Sequence, residues 1–85
     1  MPVGEAPAHV TVRYWAGARA AAGVDSDSID ASTVADAIER VVELHAALRP
    51  VTAVSTILLD GRPAALDQAL GEGAVLEVLP PFAGG

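Results

Sequence analysis

The stretch STVADAIERVVELHAALRP, residues 32–50, decides the fold. It begins like a helix, because Thr33 can cap the free amides of the first turn and Asp36 can reach back as the acidic partner of a capping box. Asp36 and Arg40 form a favourable i,i+4 pair, and Pro50 is expected to stop the helix. The apolar residues follow helical spacing and predict one buried face: Val34, Ala37, Ile38, Val41, Leu44 and Leu48.

Two strands are predicted before this helix. The first covers residues 9–16, where side chains alternate between two faces as in a half-buried strand. Val10, Val12 and Tyr14 fall on one face, and Thr11, Arg13 and Trp15 fall on the other. Residues 17–23 are rich in alanine and end in glycine, which predicts a turn or a short helix. Residues 24–31 hold too many Asp and Ser residues for a core strand, so we expect an outer strand that pairs with the first.

Further strands are predicted after the helix. Residues 55–59 are mainly β-branched residues and leucines, and the Asp60-Gly61 pair that follows them is a strong signal for a tight turn. Residues 62–65 are predicted to return as a short strand. Residues 66–70 are predicted to make one helical turn.

The last predicted strand covers residues 74–79 and follows a Gly-Glu-Gly turn. Leu76 and Val78 share one face of it, and Val75, Glu77 and Leu79 share the other. The whole order is strand, strand, helix, strand, short strand, strand. This order predicts an α+β fold in which one main helix packs across one sheet.

Length and composition fit one small domain. The chain has 85 residues, and 52% of them are hydrophobic, which suits one compact core without a large enclosed active site. The net charge is −6 and every cationic side chain is an arginine, so we expect no nucleic-acid and no membrane partner. We find no cysteine, signal-peptide pattern or membrane-length apolar run, which predicts a cytoplasmic protein. The predicted parts are a flexible leader at residues 1–7, one domain at residues 8–80 and a flexible tail at residues 81–85.

The main functional signal is the ending PPFAGG, residues 80–85. Two prolines end the last strand and stiffen the chain that leaves it. Side chains are almost absent after Phe82, so the tail can thread a narrow tunnel in a partner over a reach of about 17 Å. A bulky side chain at Gly84 or Gly85 would block the passage and the attack at the terminal carbonyl.

The Gly85 carboxylate is ionised at neutral pH and is a poor electrophile. Chemistry there needs activation, for example adenylation with ATP, and that activation must come from another protein. The chain itself lacks a nucleophile–base pair, a metal-ligand pattern and a phosphate-binding loop. We therefore expect it to be non-catalytic alone, with no bound metal and no bound cofactor.

Three apolar residues are candidates for a protein-binding patch. Trp15 and Leu79 fall on strand faces that point away from the predicted helix, and Phe82 lies just beyond the last strand. Apolar residues that are exposed together usually mark a binding surface. The alternative is that a loop or the sheet edge covers Trp15.

At this point the sequence resembles the MoaD family of small sulfur carriers. The resemblance lies in residues 12–19 (VRYWAGAR) running to Gly23, in the helix start Thr33-Val34, in residues 70–73 (LGEG) and in the ending LPPFAGG at 79–85. The double proline with a terminal Gly-Gly is its most specific part. Residues 51–65 match the family only in pattern.

The resemblance implies a β-grasp, ubiquitin-like fold and a function in molybdenum cofactor synthesis. A MoeB-like adenylating enzyme would use ATP and magnesium to activate Gly85, and a persulfide donor would convert it to a thiocarboxylate. The tail would then enter a MoaE-like large subunit and give sulfur to cyclic pyranopterin monophosphate. Gly84 would provide clearance, and Phe82, Pro81 and Leu79 would dock on the partners.

Other functions remain open at this stage. One is a carrier for thiamine, cysteine or tRNA thiolation, because ThiS-type carriers share the fold and the Gly-Gly ending. Another is a ubiquitin-like modifier joined to lysines of target proteins. The last is a plain interaction domain whose ending is incidental.

Overall fold

The structure is a computed structural model, and it describes residues 7–81. In chain order its elements are β1 (Ala8–Tyr14), α1 (Gly17–Ala22), β2 (Ser26–Ala31), α2 (Val34–Leu44), α3 (Leu48–Thr52), β3 (Thr56–Leu59), β4 (Arg62–Pro63) and β5 (Val75–Leu79). The strands form one sheet in the order β2-β1-β5-β3-β4. The central pair, β1 and β5, is parallel, and the other neighbours are antiparallel. This confirms the predicted fold class, a mixed sheet with one main helix.

The alternation of side chains in the strands decides which face of the sheet is covered. Val10, Val12 and Tyr14 of β1 are buried, as are Leu76 and Val78 of β5, and the residues between them lie on the other face. One hydrophobic cluster joins these strand residues to the buried residues of the helices: Ala18, Ala22, Val34, Ala37, Val41, Val42 and Leu48. The helices therefore cover one face of the sheet. The opposite face lies open within residues 7–81.

The start of α2 forms the predicted cap with one difference. The Thr33 hydroxyl accepts the N–H of Asp36 at 3.1 Å. The Asp36 carboxylate reaches back to the N–H of Ser32 at 3.0 Å, one residue before the cap. Arg40 lies 3.7 Å from Asp36, so the predicted i,i+4 pair is present.

The prediction that one helix runs to Pro50 is wrong. Helix α2 ends at Leu44, His45 has an extended backbone, and a separate helix, α3, begins at Leu48. Pro50 lies inside the first turn of α3, where a backbone N–H has no partner in the helix and a proline costs little. The turn between the helices buries Leu48 completely and leaves Leu44 57% exposed. Leu44 therefore does not belong to the buried face predicted for it.

The predicted helical turn at residues 66–70 is not a helix, although a 3.1 Å hydrogen bond from the Gln68 N–H to the Ala65 carbonyl closes a single turn there. The backbone of residues 66–70 is hydrogen-bonded to the start of α2. The N–H groups of Val34 and Ala35 donate to the carbonyls of Gln68 and Leu66 at 3.0 and 2.8 Å. Leu70 returns a hydrogen bond to the Ser32 carbonyl at 3.0 Å. These carbonyls satisfy amides that a helix end leaves without partners.

The Asp60-Gly61 turn between β3 and β4 is confirmed. Both residues have positive φ, 49° and 88°, as a two-residue hairpin turn of type I′ requires. Strand β4, which follows this turn, is shorter than predicted and ends at Pro63. The chain then leaves the sheet, and residues 66–70 hydrogen-bond to the start of α2.

Ala16, between β1 and α1, is expected to be strained. Its φ of 49° and ψ of −123° are those of the first central residue of a type II′ turn, which favours glycine. The turn is closed by a 2.9 Å hydrogen bond from the Ala18 N–H to the Trp15 carbonyl. We expect Ala16→Gly to raise the free energy of unfolding by about 1 kcal/mol in urea unfolding.

A matched control is the same change at Ala20, an exposed residue inside α1. Ala20→Gly should lower the free energy of unfolding by about 1 kcal/mol, because glycine is a poor helix former. A loss of stability in both variants would show that Ala16 is not strained.

Candidate functional site

The strand that leads to the tail is held on both sides up to its last residues. Tyr14 in β1 pairs with Val78, and the Trp15 N–H donates to the Val78 carbonyl at 3.3 Å. On the other side, Leu79 pairs with Thr56 of β3. The sheet therefore fixes the point from which the tail leaves.

Two prolines follow this point. Pro80 is half-buried and Pro81 is exposed. Neither has a backbone N–H to extend the ladder of β5, so the pairing ends at Leu79. Three predicted site residues, Phe82, Gly84 and Gly85, lie outside the described residues, and their roles stay predictions.

Trp15 and Leu79 lie together on the open face of the sheet. Glu77 and Leu79 alternate with the buried Leu76 and Val78, and the Trp15 indole N–H donates to the Glu77 carboxylate at 3.1 Å. Trp15 is 38% exposed, and Leu79 is half-buried. The structure thus brings two of the predicted docking residues to the place where the tail begins. Their contact with a partner stays a prediction.

A polar cluster on the helix side is absent from our sequence predictions. The Tyr14 hydroxyl donates to the Asp27 carboxylate at 2.8 Å, and His45 Nε2 lies 2.7 Å from the same oxygen. The rings of Tyr14 and His45 meet edge to face, with centroids 6.1 Å apart. The three residues come from β1, β2 and the end of α2, so no local sequence pattern connects them.

This cluster ties the end of α2 to the sheet. Burial of Tyr14 raises the pKa of its hydroxyl above the ordinary range, and the hydrogen bond to Asp27 and the charge of Asp27 raise it further. Tyr14 is only 3% exposed, so a substrate cannot reach its hydroxyl. We assign the cluster a structural role, because it fixes β1 next to the tail exit.

The described part of the chain offers little other chemistry. Among residues 7–81, no group of three or more histidine, aspartate or glutamate side chains is placed to hold a metal ion. Over the same residues, no helix has the length and apolarity that crossing a membrane requires. The distinctive features are therefore β5, which is paired on both sides, the two prolines that follow it and the open face of the sheet beside them.

Comparison with protein families decides the relationship. The ThiS family pattern matches residues 12–85, a range that includes β5, the double proline and the terminal Gly-Gly. This chain belongs to the ThiS family. The expected membership of the ThiS/MoaD group of ubiquitin-like proteins is thereby confirmed.

Solved structures of similar proteins agree with this ThiS-family fold. A molybdopterin converting factor subunit 1 from Pyrococcus furiosus is 30% identical with a TM-score of 0.80, and the match covers 88% of this chain and 99% of that one. SAMP1 from Haloferax volcanii is 28% identical with a TM-score of 0.83, and the match covers 91% of this chain and 99% of that one.

A third similar structure contains a partner. It is the complex of subunits 1 and 2 of the molybdopterin-converting factor from Helicobacter pylori, with 23% identity and a TM-score of 0.69. The match covers 91% of this ThiS-family chain and 99% of that one, and it supports the fold. No curated protein is similar enough to this chain to count as a match.

Proposed function

We propose that this chain is a cytoplasmic sulfur carrier for molybdopterin synthesis. A MoeB-like enzyme adenylates the Gly85 carboxylate with ATP and magnesium. The outer sulfur of a persulfide donor then displaces AMP to form an acyl disulfide, and a thiol reductant cleaves its S–S bond to leave the thiocarboxylate. The tail enters a MoaE-like large subunit of molybdopterin synthase. There it gives its sulfur to cyclic pyranopterin monophosphate.

The chemistry of the Gly85 carboxylate explains why an adenylating enzyme must act before sulfur is added. A carboxylate resists attack at its carbon, whereas an acyl adenylate has AMP as a leaving group. A carbon–sulfur bond can then form as the carbon–oxygen bond to AMP breaks. The part of this chain is to present its terminus, and the strand that precedes the tail is paired with β1 and β3 up to Leu79.

One observation carries the proposal. The family match runs through the Gly84-Gly85 ending, and only residues 80–83 separate that ending from β5, which is paired with β1 on one side and β3 on the other. The similarity to the Pyrococcus furiosus converting-factor subunit supports molybdopterin as the pathway.

A second candidate is a ubiquitin-like protein modifier. It is favoured by the similarity to the Haloferax volcanii small archaeal modifier protein 1, at 28% identity and over 99% of that chain. In this function the activated Gly85 carbonyl would be attacked by a lysine amine of a target protein. Isopeptide-linked adducts would then carry the terminal Gly-Gly.

Intact mass tests the carrier function directly. After incubation with an adenylating enzyme of this class, ATP, magnesium, a persulfide donor and a thiol reductant, we expect a gain in mass that matches replacement of one oxygen by sulfur. Adding a MoaE-like subunit and cyclic pyranopterin monophosphate should reverse the gain and produce the dithiolene product.

Two variants make this test specific. A chain without Gly85 should show no gain, whereas Leu44→Ala, an exposed change on α2, should gain sulfur like the wild type. A wild-type chain that never gains sulfur would contradict the carrier function. A sulfur gain with no transfer to the pterin would favour another thiolation pathway, and lysine adducts would favour the modifier.

A further inference from the structure

Strand β2 is the outermost strand of the sheet in the described part of the chain, and half of its backbone groups point away from the sheet. The Tyr14 N–H donates to the Asp25 carbonyl at 2.9 Å, which marks a hydrogen-bonded pair of the antiparallel β1–β2 ladder. Along such a ladder, hydrogen-bonded pairs alternate with pairs that are not bonded to each other. The register then leaves the N–H and C=O groups of Ser26, Ser28 and Asp30 facing outward.

A contact on the other side of β1 gives the same alternation. Thr11 lies opposite Ser28, and its N–H donates to the Ala74 carbonyl at 3.0 Å, on the side of β5. The backbone of Ser28 therefore has no partner in β1. A strand edge with free N–H and C=O groups is a template on which an extended chain can add as a further strand.

An apolar groove lies beside this edge, on the helix side of the sheet. Its volume is about 560 Å³, within the range typical of ligand pockets, and Ile29 of β2 and Leu44 of α2 line it. Ile29 is buried, whereas Leu44 is 57% exposed although burial of a leucine is favourable. Because side chains alternate along a strand, every second residue of an added strand would point into this groove and cover Leu44.

The charges around the groove select the kind of chain that can add there. Asp30 and Glu43 line the groove with exposed side chains. Arg40 also lines it, but it lies 3.7 Å from Asp36 and 3.9 Å from Glu43, so two carboxylates offset its charge. A second copy of this chain would bring another acidic β2 to the edge, and like charges across paired strands are destabilising. The charge therefore favours a cationic partner over a second copy.

We propose that the β2 edge and this groove bind an extended segment of a partner protein as an added strand of the sheet. The segment has apolar residues at every second position, which fill the groove beside Ile29 and Leu44, and lysine or arginine at its ends, which face Asp30 and Glu43. Strand β1 separates this edge from β5, which leads to the tail, so the site is independent of the carrier function.

Amide hydrogen exchange of the full chain tests the added strand directly. The probe is the capped peptide KVTVTVK, and the peptide EVTVTVE is its reversed-charge control. At ten times its dissociation constant, KVTVTVK should slow exchange of the Ser28 and Asp30 N–H groups about tenfold, because both gain acceptors. The N–H groups of Asp27 and Ile29 already face β1 and should change little. EVTVTVE should leave all four unchanged.

Methylated peptides separate backbone pairing from side-chain contact. One version of KVTVTVK carries N-methyl groups on its two threonines, and another carries them on two of its valines. The apolar alternation fixes which residues face the groove, so the N–H groups of only one of these sets can face β2. One methylated peptide should therefore bind at least about tenfold more weakly than the other. Equal binding of the two would overturn the added strand.

Variants of the chain test the edge and the groove in turn. Ser28→Pro removes an outward N–H and should weaken binding of KVTVTVK about tenfold, whereas Ser28→Ala keeps that N–H and should bind like the wild type. Leu44→Ala should weaken binding about five- to tenfold, and Leu44→Met should stay within about twofold. Thermal unfolding would verify that each variant is folded, and the exchange and methylation tests need no variant.

Three results would overturn the proposal. The first is unchanged exchange at Ser28 and Asp30 at any concentration of KVTVTVK. The second is equally tight binding of EVTVTVE, which would remove the charge requirement. The third is protection of these N–H groups without peptide that rises with protein concentration, because a second copy would then occupy the edge. Each can occur with a normal sulfur gain, so failure of the docking edge and failure of the carrier function are distinguishable.

Discussion

Leu76→Ala is expected to lower the free energy of unfolding by about 3 kcal/mol, one of the two largest effects that we predict. Leu76 is 1% exposed and lies in the central strand β5, where it pairs with Val12 on one side and Leu59 on the other. Truncation leaves a cavity that strands on both sides prevent from collapsing. Domains of this size have only about 5–15 kcal/mol of stability, so a large share would be lost.

The same change at Leu44 is the control. Leu44 is 57% exposed at the end of α2, and Leu44→Ala should alter the free energy of unfolding by about 0.5 kcal/mol or less. Urea unfolding of both variants gives the comparison. Similar losses in the two variants would mean that Leu76 is not the centre of the core.

Local patterns predicted the parts of the fold that depend on neighbours in sequence. The alternation in β1 identified its buried face, and the Asp60-Gly61 pair identified the tight turn. The cap at Thr33 followed from residues three positions apart. In each case the interaction that forms the structure is short-range, so the sequence contains all of it.

The two wrong predictions depend on contacts that are distant in sequence. Helix α2 stops at Leu44, where the side chain of His45 meets Asp27 of β2. Residues 66–70 form no helix because carbonyls of this segment pair with amides at the start of α2. Neither partner can be identified from local spacing, since propensity is only a weak guide where tertiary contacts compete with it.

The candidate site also combines features that local sequence predicts with contacts between distant residues. The importance of the Gly-Gly ending and the position of Trp15 and Leu79 on one face follow from the sequence. The contact of Trp15 with Glu77 does not, because it requires β1 and β5 to be parallel and in a fixed register. Three helices and three strands lie between these two strands in the chain, so only the folded structure shows that they are neighbours.

The second large effect is expected at alkaline pH, and one residue should cause it. The chain has no cysteine, and all its cationic side chains except histidine are arginines, which stay protonated beyond about pH 12. Its single tyrosine, Tyr14, has an ordinary pKa of about 10. From about pH 9 to about pH 12, Tyr14 is thus the side chain whose ionisation can change stability.

The sign follows from the raised pKa of folded Tyr14, which burial and the nearby Asp27 cause. The unfolded chain releases the Tyr14 proton near pH 10, whereas the folded protein retains it, so rising pH favours unfolding. The stabilisation is fully present below about pH 10 and falls by about 1.4 kcal/mol for each pH unit above it. Near pH 11.5 the loss should reach about 2 kcal/mol.

Tyr14→Phe should remove this pH dependence and reverse the order of stability. Near pH 9 the variant should be about 1 kcal/mol less stable than the wild type, because the hydrogen bond to Asp27 is lost. Near pH 11.5 it should be about 1 kcal/mol more stable, because phenylalanine has no proton to release. Urea unfolding at both pH values measures the crossover, and the absorbance of tyrosinate should appear only as the wild type unfolds. Tyrosinate formed in the folded protein near pH 10 would contradict the raised pKa and the role of Asp27 in it.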